Sequence, residues 1–287
     1  MMFDTHCHLS FSEDGERIAR YAEGSLAAFV ATVDPRSCEE ASRRFSSFPN
    51  IRVGLGLHPW NVLDDDVLVE EFEAAAPFSP FIGEVGLDFS PYHEATRERQ
   101  IAVFDRVVAA CMREGKTASV NSGSISGMHA GGLISIHAVR AVDEVIDAFE
   151  RAGALRGASR AAAACVNGRA LVLHSFAGTS DQLQRALNCG FYLSASPRTM
   201  RTKRGRAYAC AIPQNRFLLE TDLPSKKGEW FSYDIWRCVL DETWEAVLEA
   251  RFGEGLTEAA LKRRESFVRA VNESSERMLF PSLAGLC

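Results

Sequence analysis

Two histidines stand two residues apart near the start of the chain, within the stretch FDTHCHL at residues 3–9. If this short apolar run forms a β-strand, side chains two positions apart point the same way and lie about 6.6 Å apart along the strand. His6 and His8 would then face one metal ion together, and neutral imidazoles suit borderline metals such as zinc, manganese or iron. Cys7 should point to the opposite side, into an outer helix layer, so we do not count it as a ligand.

Further candidate metal ligands recur along the chain at equivalent places. Each lies at or beside the end of a short apolar run, and the set comprises His58, Glu84, His137, His174 and Asp222. A lone histidine in such a place is more often a structural residue, but buried carboxylates are costly without a partner. The whole set therefore favours a metal site. The two other histidines, His93 and His129, fall in predicted loops, where we expect them to be solvated.

The elements that must position these residues can be predicted from hydrophobic patterning. Longer amphipathic stretches separate the apolar runs, and the clearest is 96–115, where apolar residues recur at spacings of three and four. Such alternation implies parallel βαβ units. Eight units in a chain of this length fit a TIM-type (β/α)8 barrel of the α/β class, in which strand ends meet at one mouth. The predicted strands are 2–8, 26–34, 51–58, 80–88, 133–139, 170–175, 191–196 and 216–222.

Alternatives remain for the architecture and for several segments. A doubly wound open sheet competes with the barrel, but no glycine-rich phosphate-binding motif follows the first strand. KTASVN at 116–121 competes for the fifth strand with 133–139, which we prefer because it carries His137. The Gly/Ser-rich segment 118–132 should lie on the face opposite the active site, and the Ala-rich segment 156–168 extends a helix or forms a loop. The patterns at 232–252 and 257–279 predict barrel helices, so we expect one domain over residues 1–287.

Composition restricts the cellular setting. The net charge of −6 argues against non-specific binding of polyanions by the whole surface. The eight cysteines form no Cys-x-x-Cys pair, so we predict reduced thiols and a cytoplasmic protein. We find no signal peptide, no membrane-spanning run, and no indication of a membrane or obligate protein partner.

Several stretches together resemble the TatD family of metal-dependent deoxyribonucleases, within the amidohydrolase-like barrel superfamily. They follow one another over residues 3–224, and NESSERMLF at 272–280 resembles the closing helix of the family. The matching stretches are FDTHCHL, VGLGLHPW, IGEVGLDF, SIHAVRA, LVLHSFAG, FYLSAS and LLETDLP.

The resemblance implies a site for two divalent cations, which could be zinc, manganese, magnesium, nickel or iron. By this resemblance, His58 is a mouth histidine that contacts substrate or a neighbouring group. It also implies that His6, His8 and Asp222 hold the first ion, that Glu84 bridges both ions, and that His137 and His174 hold the second.

Four imidazoles and two carboxylates around two dications would leave a net charge near +2, which attracts a phosphate. We therefore predict a phosphodiesterase, an exonuclease-like deoxyribonuclease that uses a metal-activated water. Glu84 and Asp222 are the predicted catalytic carboxylates, and Asp222 would accept the proton of the water.

A basic segment after the seventh strand could bind the substrate. PRTMRTKRGR at 197–206 has five positive charges between Arg198 and Arg206 and no acid, as a DNA backbone would require. A solvated loop is the alternative. Trp60 and Phe176 could stack on bases, although aromatics at strand ends more often belong to the core. The predicted substrate-binding residues are His58, Arg140, Arg198, Arg201, Lys203 and Arg204.

Two other functions are compatible with the same metal ligands. A barrel metallohydrolase could act on a small amide, lactone or phosphoester, which the acidic net charge allows and the basic segment opposes. A catalytically degenerate barrel could bind metal or a partner without turnover, which the intact set of ligand types opposes.

Overall fold

The computed structural model describes residues 1–62, 66–114, 131–253 and 257–280. The strands in these ranges are β1 Met2–Cys7, β2 Leu26–Val30, β3 Ile51–Val53, β4 Leu55–Leu57, β5 Phe81–Asp88, β6 Leu133–Val139, β7 Cys165–Val166, β8 Arg169–Leu173, β9 Tyr192–Ala195 and β10 Phe217–Leu219. The α-helices are α1 Gly15–Ala22, α2 Pro35–Phe45, α3 Val67–Ala75, α4 Arg97–Met112, α5 Val142–Arg151, α6 Ser180–Asn188, α7 Pro197–Met200, α8 Lys203–Ala211, α9 Tyr233–Phe252 and α10 Glu258–Leu279.

The parallel strands are arranged in a ring that consists of two hydrogen-bonded sheets. Hydrogen-bonded neighbours run from β1 through β2 to β3, and from β4 through β5, β6, β8 and β9 to β10. Only Gly54 separates β3 from β4, so these are two pieces of one strand. Across the remaining seam, the Asp222 N–H donates to the His6 carbonyl at 2.9 Å and the His8 N–H donates to the Leu223 carbonyl at 2.8 Å. The fold is therefore a TIM-type (β/α)8 barrel.

Alternation along the strands separates the barrel interior from the outer layer. On β2, Ala27 and Phe29 pack in a cluster with Phe3 on β1, inside the ring. Ala28 and Val30 alternate with them and belong to the larger cluster between strands and helices. Because both faces are covered, strands such as β5 are buried along their whole length, which explains their continuous apolar sequence.

Gly86 allows two strands to approach each other closely at the mouth. It lies on β5 with φ at +145°, and a Cβ atom there would lie only 2.0 Å from the carbonyl oxygen of His137 on β6. Gly86 stands midway between Glu84 and Asp88. The absence of its side chain therefore lets both acids approach the imidazole on the neighbouring strand.

Each of the eight predicted strand regions contains a strand of the ring, and the helices predicted at 96–115, 232–252 and 257–279 are α4, α9 and α10. The prediction missed the interruption at Gly54 and the short β7, which pairs antiparallel with β8 at the end of the segment 156–168. That segment is otherwise a loop, one of its two predicted alternatives. Most of 118–132 and all of 116–121 lie outside the described residues. None of the described helices has the length and apolar character to cross a membrane.

Candidate metal centre

β1 carries two imidazoles to the barrel mouth. His6 is fully buried and His8 nearly so. Cys7 between them packs in the outer hydrophobic layer, as its position in a strand predicted. The Nε2 atoms of His6 and His8 lie 3.4 Å apart, so both rings present the same nitrogen to one point.

Two carboxylates complete this group of donors. Oε2 of Glu84 lies 3.6 Å from Nε2 of His6 and 3.3 Å from Nε2 of His8. Oδ1 of Asp222 lies 3.8 Å and 3.4 Å from the same two nitrogens. Ligand atoms at about 2.1 Å from a tetrahedral zinc are about 3.4 Å from one another. The four donors therefore have the spacing of ligands around a single ion.

The other oxygen of Glu84 faces a second pair of imidazoles. Oε1 lies 2.7 Å from Nδ1 of His137 and 2.8 Å from Nε2 of His174. These two nitrogens are 3.3 Å apart. A carboxylate that presents one oxygen to each histidine pair can bridge two ions.

Donor atoms within 4.8 Å of one another form three groups among the described residues: His6, His8 and Asp222; His6, His174 and Glu220; and His58, Glu84 and His137. The first group matches the predicted ligands of the first ion. The third includes His58 where the prediction has His174. The Nε2 of His58 is 3.5 Å from Oε1 of Glu84, farther than that of His174, so the distances favour the predicted pairing.

The two histidines of β1 are oriented by partners on their other ring nitrogens. Nδ1 of His6 lies 2.7 Å from the Ser135 hydroxyl, and Nδ1 of His8 lies 3.3 Å from the Ala31 carbonyl oxygen. Such contacts fix the orientation of a metal-binding imidazole and direct its free nitrogen at the ion.

Acids orient the second pair. Nε2 of His137 lies 3.3 Å from Oδ2 of Asp88, and Nδ1 of His174 lies 3.4 Å from Oε1 of Glu220. Glu220 is fully buried and accepts a hydrogen bond from the Ser194 hydroxyl. A carboxylate behind an imidazole increases its basicity, and therefore its affinity for a cation.

Sequence analysis missed these two acids. Asp88 lies four residues after Glu84 on β5, and Glu220 lies two residues before Asp222. The same two-residue strand period that paired His6 with its neighbour could have identified both.

The electrostatics favour a bound cation. Burial alone would raise the pKa of Glu84, but the charge of His174 and the hydrogen bonds from His137 and His174 hold it well below its usual value. Burial also opposes ionisation of Asp222, but the hydrogen bond from His8 and the charges of the neighbouring histidines together outweigh it and lower its pKa to about 2. Both side chains are therefore carboxylates at neutral pH, the form that binds metals.

Two of the imidazoles, His8 and His174, hold an extra proton when no ion is bound. Burial would lower the pKa of His8, but its bonds to Asp222 and Glu84 raise the pKa to about 10. The pKa of His174 is raised well above its usual value, because attraction to Glu84 and the bond to Glu220 outweigh its burial. An ion that binds here must displace these protons.

His58 has the geometry of a hydrogen-bond donor. Its Nδ1 accepts the backbone N–H of Trp60 at 3.2 Å, which places the hydrogen of the neutral ring on Nε2. Burial lowers the pKa of His58, so the ring is neutral. Its Nε2–H therefore points into the centre, which fits a substrate contact better than a metal ligand.

Asp4 connects β1 to the segment after β10, beneath the centre. Its buried Oδ1 accepts the N–H groups of His6 at 3.2 Å and Thr221 at 3.0 Å. Oδ2 accepts the Thr221 hydroxyl at 2.6 Å and the Trp236 indole N–H at 2.7 Å. Burial raises the pKa of Asp4 to about 7 despite these four donors. The network fixes His6 relative to Asp222, the residue after Thr221.

The predicted substrate-binding cations lie on elements that follow strand ends and are exposed. They are Arg140 after β6, Arg198 and Arg201 at α7, and Lys203 and Arg204 on α8. Arg204 also donates to the Ala177 carbonyl at 3.1 Å. Arg206 lies 3.3 Å from Glu249, so the basic segment presents fewer uncompensated charges than its sequence suggested.

The two predicted stacking aromatics have different environments. Phe176 is buried in the core, whereas 55 % of the Trp60 surface is exposed. The ring of His93 stacks on Trp60 with 4.9 Å between centroids and an 18° interplanar angle. His93 lies in a turn, as predicted, but its ring is partly covered by this contact and so only partly solvated. His129 lies outside the described residues.

Comparisons with known proteins relate most of the chain to one family. The family model described as TatD related DNase matches residues 3–123 and 127–231. Human deoxyribonuclease TATDN3 is 24% identical over 273 residues, which cover 88% of this chain and 85% of the human protein. The 3'-5' ssDNA/RNA exonuclease TatD of Escherichia fergusonii is 24% identical over 237 residues, covering 78% of this chain and 79% of that protein.

A solved structure has the same fold. The crystal structure of YJJV, a TatD homologue from Escherichia coli K12, superposes with a TM-score of 0.70. It is 18% identical in sequence, and the match covers 98% of both chains. At this identity the similarity concerns the barrel architecture.

Proposed function

Because the chain belongs to the TatD-related DNase family of metal-dependent hydrolases, we propose that it hydrolyses phosphodiester bonds of DNA in an exonuclease-like manner, with two divalent cations at the barrel mouth. One observation carries the proposal. Imidazoles and carboxylates from both ends of the chain converge around the two oxygens of Glu84 at ligand spacing.

Six residues would hold the ions. His6, His8 and Asp222 would bind the first, His137 and His174 the second, and Glu84 would bridge them. Nitrogen and oxygen donors of this kind admit zinc, manganese, magnesium, nickel or iron. When bound, two such cations neutralise charge on the phosphate and make a water acidic enough to attack near neutral pH.

The two proposed catalytic carboxylates differ in exposure, and we assign them different roles for this reason. The Glu84 side chain is only 4% exposed, whereas that of Asp222 is 35% exposed. Asp222 can therefore reach an entering water, and we assign to it the removal of the proton from that water. The Nε2–H of His58 would donate to a phosphate oxygen.

The exposed arginine and lysine side chains at the mouth would bind phosphates that flank the scissile bond. Lys and Arg contacts to the backbone make nucleic-acid binding depend on salt. Arg140, Arg198, Arg201, Lys203 and Arg204 form this proposed contact surface. The cytoplasmic location, the single domain and the absence of an obligate protein partner stay predictions.

Metal reconstitution tests the proposal. Metal-stripped protein would receive each cation in turn, and metal content would be measured beside turnover of single-stranded DNA, duplex DNA, RNA, amides and lactones. We expect at least one cation to restore cleavage of single-stranded DNA, with two ions per chain.

Two outcomes would contradict this function. Turnover of an amide or lactone without cleavage of any nucleic acid would identify a small-molecule hydrolase. Stoichiometric metal binding without turnover of any of these substrates would identify a degenerate barrel.

A further inference from the structure

A half-exposed tryptophan stands beside the metal centre in a fixed orientation. The indole N–H of Trp60 donates to Oδ2 of Asp88 at 2.8 Å. The same oxygen lies 3.3 Å from Nε2 of His137. Only one carboxylate therefore separates the indole from a proposed metal ligand, although 55 % of the Trp60 surface is exposed.

The stacking partner of this indole is also held in place. The carbonyl oxygen of His93 accepts hydrogen bonds from the Thr96 hydroxyl at 2.9 Å and the Gln100 amide at 3.4 Å. The Gln100 amide also donates to the carbonyl oxygen of Asp88 and its oxygen accepts the Asp88 N–H. One side chain thus connects the backbones of the residue that anchors Trp60 and the residue that stacks on it. His93 therefore covers one face of the indole, and the stacked pair is held in place before any substrate arrives.

We propose that Trp60, stacked on His93, binds the nucleobase next to the scissile phosphate. The inference rests on the proposed function, because it is that function which places a phosphate at the centre. Every nucleobase has a π-face, and stacking on an aromatic side chain tolerates any sequence. The exposed indole beside the centre can receive the base attached to a sugar on one side of the bond that breaks.

This contact selects a class of substrate. Bases in a duplex stack on their neighbours, so only an unpaired base can leave the stack to reach Trp60. The enzyme should therefore prefer single-stranded or frayed nucleic acid to duplex, and a nucleotide to a phosphodiester without a base. By the usual strength of base stacking on aromatic residues, loss of the contact should lower kcat/KM by roughly 5- to 150-fold.

Abasic substrates separate stacking from a structural role of the indole. Single-stranded oligonucleotides would carry one abasic residue on either side of the cleaved phosphate, and kcat/KM would be measured for each. We expect kcat/KM of the wild type to fall roughly 5- to 150-fold when the stacked base is absent. Trp60→Ala should lose as much on the intact strand and little more on the abasic one.

Two further variants complete the test. Trp60→Phe keeps a stacking ring but cannot donate to Asp88, and should keep most of the preference for the base. Trp230→Ala removes a tryptophan that is 79% exposed on the segment after β10, and should match the wild type. If Trp60 merely holds Asp88, then Trp60→Phe and Trp60→Ala will lower kcat/KM equally on intact and abasic strands. That result would overturn the proposal.

A binding measurement distinguishes this inference from the function on which it rests. Anisotropy of a labelled strand would be followed with metal-loaded Asp222→Asn protein, with and without Trp60→Ala. Preference for the intact over the abasic strand that disappears with Trp60→Ala supports the inference, even if no oligonucleotide is cleaved. Equal affinity for both strands, together with cleavage that ignores the base, refutes the inference and leaves the proposed nuclease intact.

Discussion

Asp222 is held in a backbone conformation that few residues adopt. Its φ is +60°, in the left-handed region, where asparagine and aspartate are tolerated better than most non-glycine residues. The backbone N–H of Asp222 donates to the His6 carbonyl, so the barrel seam itself maintains this conformation. Strained residues of this kind are concentrated at functional sites, and here the strain directs a carboxylate toward both the imidazoles of β1 and the solvent.

Asp222→Asn should remove the proposed proton acceptor and leave the fold unchanged, because asparagine also tolerates positive φ. We expect kcat on single-stranded DNA to fall about 10²- to 10⁴-fold, the usual contribution of a general base. Metal analysis of the same sample would show whether both ions are still bound. A variant that binds two ions and keeps substantial turnover would contradict the assigned role.

Hydrogen bonds between elements also position the residues of the centre. The carboxylate of Asp4 on β1 reaches Thr221, in the segment after β10, and Trp236, on α9. Each of its two oxygens accepts two hydrogen bonds. Either orientation of an amide at this position would therefore direct an NH2 group at two donors.

Asp4→Asn should therefore lower the free energy of unfolding by about 2–4 kcal/mol, since buried donors would lose a charged acceptor. Trp236→Phe removes one donor and should cost less. Urea denaturation of the two metal-stripped variants would measure these changes in stability. The pH should lie above the Asp4 pKa of about 7, so that Asp4 is ionised in the wild type. Equal stability of wild type and Asp4→Asn would show that the network does not hold these elements.

The order of the elements could be predicted because buried parallel strands are continuous apolar runs, and β5 is buried over its whole length. The position of β7 could not be predicted, because a strand of two residues has no detectable period. The convergence of the ligands followed from the barrel. The sequence could not show which ring nitrogen each histidine presents to the centre. Nδ1 of His137 faces Glu84 while Asp88 contacts its Nε2, and no local pattern predicts this arrangement. Arg206 likewise pairs with Glu249 on a helix that no local pattern associates with it.

Metal binding and proton release should be coupled in the whole protein. The pKa of His8 is raised to about 10 and that of His174 well above its usual value, so both rings are protonated at neutral pH without metal. Ions bind the neutral imidazole. Affinity should therefore rise as pH rises through about 10, the pKa of His8, because protons compete less and less for this ring.

Calorimetry in buffers of different ionisation enthalpy would measure this coupling, and we expect at least one proton to be released per chain at neutral pH. His8→Asn should release fewer protons, and His93→Ala, which lies outside the ligand set, the same number as the wild type. An apparent enthalpy of binding that is identical in every buffer would show that the imidazoles are already neutral.

The seam between β1 and the segment after β10 also determines when the enzyme can first act. The Thr5 hydroxyl donates to the Leu219 carbonyl across 214 positions of sequence, and the proposed ligands on either side of this seam are at least as far apart in sequence. A ribosome releases His6 and His8 early, but it adds Asp222 only after nearly four-fifths of the chain has been translated. A nascent chain therefore has no complete metal centre until the last strand has docked against β1.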